Sequence, residues 1–177
     1  MTTNAQKQKI RNAFNSKLSD MSSSLQPAAS PDLSIVIVSW NTKELLERCL
    51  LSVQEEIIRG ESVTIETFVI DNASDDGSPA MVRDKFPWVE LLLNEVNTGF
   101  AKANNQGIRQ SSGRHVLLLN SDTEVHGGTL LTLLRFMDAH PKAGAVGARL
   151  LNPDGSLQPG CHPMLTPGRE FWHLLFL

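Results

Sequence analysis

Apolar positions along the chain follow two alternating rhythms. Apolar-rich runs occupy 33–38, 63–70, 89–93, 116–119 and 145–151, and each has the length and composition of a strand. Between them the spacing changes. Leu45, Leu46, Cys49, Leu50 and Val53 recur as the apolar stripe of a helix packed on a sheet, with Asn41 or Thr42 available as its cap and Gly60 ending the connection. Further helices are predicted over 78–85, broken by Pro87; over 99–110, punctuated by Gly113; and over 129–139, preceded by Gly127 and Gly128 and stopped by Pro141. Strand and helix alternate throughout, which predicts an α/β fold with a mostly parallel sheet flanked by helices. Residues 116–119 show no polar alternation, so they are expected to form a central strand buried on both faces. The turn signal Asn152-Pro153-Asp154-Gly155 follows the last expected strand, and the pattern dissolves beyond Gly160, where Pro163 and Pro167 suit a loop.

Three of these strands run into polar tips. The first ends on Ser39-Trp40-Asn41, the second on Asp71-Asn72-Ala73-Ser74-Asp75-Asp76-Gly77-Ser78, and the fourth on Asn120-Ser121-Asp122. In parallel sheets ligands lie just beyond the carboxyl ends of the strands. Carboxylates and amides at Asp71, Asn72 and Asp75 can accept from ribose hydroxyls or a base edge. A hard divalent cation on Asp122 would bridge to diphosphate oxygens; the plainer alternative is an Asp that caps the next turn. For Asp76 and Ser78 the plain role, a turn with an N-cap, is the stronger one. The helix start at Gly99 offers backbone N–H groups to an anion. His126 follows Asp122 closely but is read as an ordinary loop residue. Walker, Gly-x-Gly-x-x-Gly and Gly-x-Ser-x-Gly motifs are absent, which argues against P-loop, nicotinamide and hydrolase-elbow chemistry. A receiver-like signalling domain also carries acidic tips, but no lysine stands at a distal strand end.

Composition narrows the setting. The 177 residues suit one domain, and a net charge of −3 with no basic patch argues against nucleic acid as a partner. Cys49 and Cys161 have no metal-ligand spacing and suit a reducing, cytoplasmic compartment. Residues 1–31 are read as a flexible polar leader, mildly basic through Lys7, Lys9, Arg11 and Lys17, with a weak helix around 10–18. No apolar run is long enough to span a bilayer.

The blocks Val36-Ile37-Val38-Ser39-Trp40-Asn41, Val69-Ile70-Asp71-Asn72-Ala73-Ser74-Asp75-Asp76-Gly77-Ser78, Asn97-Thr98-Gly99-Phe100-Ala101-Lys102-Ala103-Asn104-Asn105-Gln106-Gly107-Ile108 and Leu117-Leu118-Leu119-Asn120-Ser121-Asp122-Thr123 occur in that order. Together they resemble a family 2 glycosyltransferase, and more narrowly its rhamnosyltransferase-like branch. The resemblance implies a GT-A (Rossmann-like) fold, a nucleotide-diphosphate sugar donor, a glycan or lipid-linked acceptor, a divalent metal (Mg or Mn) and inversion at the anomeric carbon. It places Asp71 by the base or ribose, with Ser39, Asn41, Asn72 and Asp75 on the substrate side. Asn120-Ser121-Asp122 takes the Asp-x-Asp position, with Asp122 as the metal ligand and Asn120 replacing the first acid. Gly99, Asn104 and Asn105 would line the donor pocket. Many members carry Arg where Asn104 stands, and Lys102 is a candidate substitute. Residues 146–158 would form the rim of the acceptor side.

The family's general base is an acid in a motif further along the chain. After Asp154 the only acid is Glu170, which matches nothing. The expectation is therefore a fold incomplete at the C-terminus: 32–177 is the donor-binding part, no catalytic residue is assigned, and the apolar stretch 171–177 looks like an interrupted element. A missing C-terminal half or partner chain would complete it. The alternative is a non-catalytic nucleotide-sugar-binding fragment or inactive remnant. A place at the inner face of the membrane fits lipid-linked acceptors.

Overall fold

The computed structural model describes residues 12, 30–59 and 63–158. Most of the expected leader, Gly60, Gly160, Cys161, Pro163, Pro167 and the stretch 171–177 lie outside the described residues. The element order is β1 (Leu33–Ser39), α1 (Lys43–Arg59), β2 (Ile65–Asp71), α2 (Ser78–Lys85), β3 (Glu90–Leu93), α3 (Phe100–Gln110), β4 (His115–Asn120) and α4 (Thr129–Ala139). The four strands form one sheet in the order β3-β2-β1-β4, and every pairing is parallel. Register sets Ser39 opposite Asp71, Asp71 opposite Leu93, and Val38 opposite Asn120. The polar tips therefore come out along one edge.

Each face of the sheet has its own apolar layer. On one, Ile35, Ile37 and Val69 pack with Leu46, Leu50 and Val53 of α1, Met81 and Val82 of α2, and Leu130 and Leu134 of α4. On the other, Val36, Phe68 and Ile70 pack with Ala103 of α3. Full burial of such side chains contributes about 1.5–3 kcal/mol each. Helix α3 approaches closely because position 107 is glycine: a Cβ there would lie 2.5 Å from Val36 Cγ1 and 2.8 Å from Ile70 Cδ1.

Among the described strands β4 lies at the edge of the sheet, not at its centre. It pairs only with β1 among the described strands, and Val116 and Leu118 are 42% and 50% exposed. Leu117 and Leu119 face the α1/α4 layer. Helix α3 packs on β1 and β2, and among the described residues the opposite face of β4 leaves Val116 and Leu118 exposed. The doubly buried positions belong to β1 and β2, where neighbours and helices lie on both sides.

The chain divides into two units, Met1–Gly144 and Ala145–Leu177. In the second, the expected strand over 145–151 is reduced to one antiparallel bridge, Leu151 to Leu157. The Asn152–Ser156 turn closes it: Asn152 N–H donates to Ser156 O at 2.9 Å, and Ser156 N–H donates to Asp154 Oδ1 at 2.9 Å. Residues 145–150 find no ladder partner among the described residues, and an unpartnered strand is not stable alone.

The amino end of the sheet is tied by Glu66. Its Oε1 accepts from Ser34 Oγ at 2.5 Å, Ser112 N–H at 2.7 Å and Gly113 N–H at 3.2 Å. Burial alone would push this carboxyl upward and is the largest single influence. The hydrogen bonds from Ser34, Ser112 and Gly113 together outweigh it and hold the group below its ordinary value of 4.5. The folded state thus favours ionised Glu66 and gains stability above the ordinary glutamate range. That gain is lost as pH falls through the depressed value.

Two outcomes are expected. Gly107→Ala should lower stability by about 1–2 kcal/mol in urea unfolding, because overpacking exceeds the helix-propensity gain of alanine. A neutral result would mean that α3 sits further from Val36 than described. Glu66→Gln should destabilise at neutral pH and converge on the parent as pH falls below 4.5. A difference that persists unchanged at acid pH would rule out the charge as the cause.

Candidate functional site

Asp71 closes β2 at the carboxyl edge and is 2% exposed. Its Oδ1 accepts the Ser74 N–H at 2.9 Å, but its Oδ2 is buried without a partner. A buried carboxylate oxygen without a hydrogen bond costs about 1–3 kcal/mol or more, so this atom suits a donor from outside the chain. The turn that satisfies Oδ1 is itself strained. Ala73 has φ 67, a left-handed backbone that an alanine rarely adopts.

The next loop is pinned by residues from the β1 tip. Asn41, also left-handed at φ 53, donates its N–H to Ser74 Oγ at 2.9 Å and accepts the Asp75 N–H on its Oδ1 at 2.9 Å. Asp76 joins two helix starts. Its Oδ2 accepts the Lys43 N–H of α1 at 2.8 Å, and its Oδ1 accepts the Ser78 N–H of α2 at 2.9 Å. Burial raises the Asp76 carboxyl most strongly, yet the bonds from Ser78 and Lys43 hold it below the usual aspartate range. The carboxylate of Asp75 has no hydrogen bond among the described residues, and Asp75 is exposed. A hydroxyl chain then crosses to β4: Ser39 Oγ meets Thr42 Oγ1 at 3.0 Å, and Thr42 Oγ1 donates to Ser121 Oγ at 3.1 Å.

On the other side of Asp71 the amides are engaged internally. Asn72, 2% exposed, accepts on Oδ1 from Asn94 Nδ2, Thr98 N–H and Thr98 Oγ1 at 3.0, 3.0 and 3.2 Å. Its Nδ2 donates to Asn97 Oδ1 at 2.9 Å, which also accepts the Gly99 N–H at 2.9 Å. The Asn72 amide, expected to meet ribose, therefore holds the loop, and Asn41 holds the turn. Asn104 is buried and donates to Phe100 O at 3.0 Å, within its own helix. Lys102 and Asn105 are exposed on α3. Gly99, φ 82, precedes α3 with no side-chain cap, so the first-turn N–H groups have no capping partner among the described residues.

Asn120 and Asp122 are exposed at the β4 tip. Among the described residues no group of three His, Cys, Asp or Glu side chains could hold a metal. A magnesium-type ion needs only one or two carboxylates when phosphate oxygens and water complete its shell. The single carboxylate of Asp122 fits such an ion together with a diphosphate, and not a metal held by protein alone. His126 lies 3.8 Å from Glu124, which also meets Arg48 at 3.4 Å. The loop that follows is secured by buried polar groups of α1: Ser52 Oγ accepts the Val125 N–H at 3.0 Å, and Glu56 Oε1 accepts the Gly128 N–H at 3.0 Å. Burial, reinforced by Asp122 and Glu124, pushes the Cys49 thiol up to about 12, which leaves it inert.

Four side chains outside the expected set also contribute. Trp40 is 55% exposed at the β1 tip, and its signal in the sequence was a large aromatic residue where an apolar strand turns polar. Thr42 bridges two tips. Asn94 and Gln106 exchange two hydrogen bonds at 2.9 Å, a pairing across twelve residues that no local pattern reveals.

The family model described as Glycosyl transferase family 2 matches residues 34–169. The N-acetylglucosaminyl-diphospho-decaprenol L-rhamnosyltransferase of Mycobacterium tuberculosis is 32% identical over 143 residues, 75% of this chain and 45% of that protein. The succinoglycan biosynthesis protein ExoO of Rhizobium meliloti is 32% identical over 62% of this chain and 30% of its own length. The chain thus spans less than half the length of these curated relatives. Among solved structures, the mannosyltransferase PcManGT from Pyrobaculum calidifontis, in complex with GDP-Man and Mn2+, matches 82% of this chain and 45% of its own, with a TM-score of 0.60 and 22% identity. S. aureus TarS in complex with UDP matches 62% of this chain and 33% of its own, with a TM-score of 0.54 and 22% identity. These likenesses establish the GT-A fold.

Proposed function

The chain belongs to glycosyl transferase family 2, and from that premise we propose that it binds the nucleoside-diphosphate end of an activated sugar along the carboxyl edge of its sheet. The observation that carries this reading is the buried, unpartnered Oδ2 of Asp71. In the proposed complex that oxygen accepts a hydrogen bond from the base or ribose. Trp40 stacks against the base, since an exposed indole offers a flat apolar face. The first-turn N–H groups of α3 and the Lys102 ammonium face the anionic diphosphate. Asp122 would hold a magnesium or manganese ion, and that ion supplies positive charge against the departing diphosphate.

The proposed reaction is inverting transfer to a glycan or lipid-linked acceptor, with rhamnose as the sugar and dTDP as its carrier. The likeness to an L-rhamnosyltransferase supports the sugar, and relatives named for decaprenol- and undecaprenol-linked compounds support the acceptor class. The same likeness supports a place at the inner membrane face; no helix among the described residues is long and apolar enough to cross a membrane. Inversion needs a general base at the acceptor hydroxyl. Of the acids at the described tips, Asp71 and Asp122 go to the donor and Asp76 joins two helix starts, which leaves Asp75 and, beyond β3, Glu95. That shortage favours a second reading: a module that binds nucleotide sugar and performs no transfer alone.

Calorimetric titration with UDP, dTDP and GDP, with and without magnesium or manganese, tests the proposal. Metal-dependent binding of one nucleotide is expected. Asp122→Ala should remove the metal dependence. Asp71→Asn should weaken binding about tenfold to a hundredfold, the worth of a hydrogen bond to a charged group. Folded protein that binds none of the three, or binds equally well in both variants, would refute the assignment. Turnover by the chain alone would dismiss the second reading.

A further inference from the structure

Asn72, Asn94, Asn97 and Gln106 form a connected amide network that spans three elements. Asn94 caps β3, and its backbone N–H donates to the carbonyl of Asp71 at 2.9 Å. Its side chain donates to Asn72 Oδ1 at 3.0 Å and pairs reciprocally with Gln106, in the last turns of α3. Asn72 continues the network to Thr98 and, through Asn97, to the Gly99 N–H that opens α3. The orientations of Asn72, Asn94 and Gln106 fix one another, because Asn72 Oδ1 accepts the Thr98 backbone N–H and must therefore also accept from Asn94 Nδ2, which leaves Asn94 Oδ1 to accept from Gln106. Polar networks of this kind add little net stability over an apolar contact, but they define one geometry. Helix α3 is also held at Gly107, by direct contact with Val36 and Ile70. The helix is therefore fixed on its inner face and tied, at its start and again at Gln106, to the segment that carries Asp71.

We propose that the Asn72–Asn94–Gln106 network is a positioning device: without touching the ligand, it sets the placement of the open start of α3 relative to Asp71, and so determines how well one nucleoside diphosphate engages both. This inference rests on the nucleotide-diphosphate reading of the site. Gln106 is the residue to test, because it lies on the far side of the network from the proposed ligand. Methionine preserves its length, neutrality and helix propensity while removing both hydrogen bonds.

UDP, dTDP and GDP are first titrated into the parent chain at fixed magnesium. The one that binds is then compared with its own nucleoside and with inorganic pyrophosphate, in the parent and in Gln106→Met. Affinity for the nucleoside diphosphate should fall about tenfold, roughly the worth of one well-placed hydrogen bond. Affinities for the nucleoside and for pyrophosphate, each engaging one end only, should stay at the parental values. Asn94→Ala should repeat the pattern, and thermal unfolding reports whether either variant is folded. An unchanged diphosphate affinity in folded variants overturns the proposal. So does a parallel loss for all three ligands, which would mark general loosening. If the parent chain binds none of the nucleotides, the reading of the site falls and this inference falls with it. Parental binding with insensitive variants removes the positioning role alone.

Discussion

Parallel pairing is the constraint on which the rest of this molecule depends. Strands that all run one way must be joined by crossovers that return the chain to the same starting edge. Every strand then ends on the opposite edge. Ser39, Asp71 and Asn120 come from separate parts of the chain, yet the register brings them to one edge within a residue or so of level. The apolar layers on both faces hold that register, since a slip of one residue would turn Val36, Phe68 and Ile70 onto the wrong face. The two edges are also chemically distinct. Glu66 meets a full set of donors at the amino edge, while Asp71 keeps one oxygen unpaired at the carboxyl edge.

The loops beyond the strands are ordered by polar contacts rather than by burial of apolar surface. Asp76 joins the starts of α1 and α2, Asn41 clasps the 74–75 turn, and the Ser39–Thr42–Ser121 chain links β1 to β4. These bonds occupy most of the polar groups near the edge, which makes the exceptions informative. Asp71 Oδ2 is one, and the uncapped first turn of α3 is another. A folded chain leaves such groups unmet at a cost, and a ligand with matching groups removes that cost. Thr67 Oγ1 is also buried without a partner, inside β2 and away from the tips, and nothing in the structure explains it.

Much of the architecture is legible in local pattern. The helices over 78–85 and 129–139 run from Ser78 to Lys85 and from Thr129 to Ala139, because proline and glycine punctuation marks their ends. The tips Ser39, Asp71 and Asn120 stand where apolar runs turn polar. Legibility fails where the partner is distant. The run at 116–119 is apolar at every position, yet only Leu117 and Leu119 are packed, since burial depends on which helix lies above and not on the strand itself. Residues 145–151 have a strand's composition and among the described residues form only the Leu151 bridge, because a strand exists only with a neighbour to pair with.

The same division runs through the site. The sequence by itself determined the alternation of elements, the edge where chemistry gathers, the family, and the choice of Asp71 and Asp122 as the acids to watch. These follow from residue type and short spacing, which set propensity and charge. Only the tertiary structure decided that Asn41 and Asn72 hold loops while Asp71 keeps an oxygen open. It also decided that Asn94 pairs with Gln106 and that β4 pairs with β1 alone among the described strands. An amide declares in the sequence that it will make hydrogen bonds, but not with what: the partner depends on which distant segment the fold brings within about 3 Å of it.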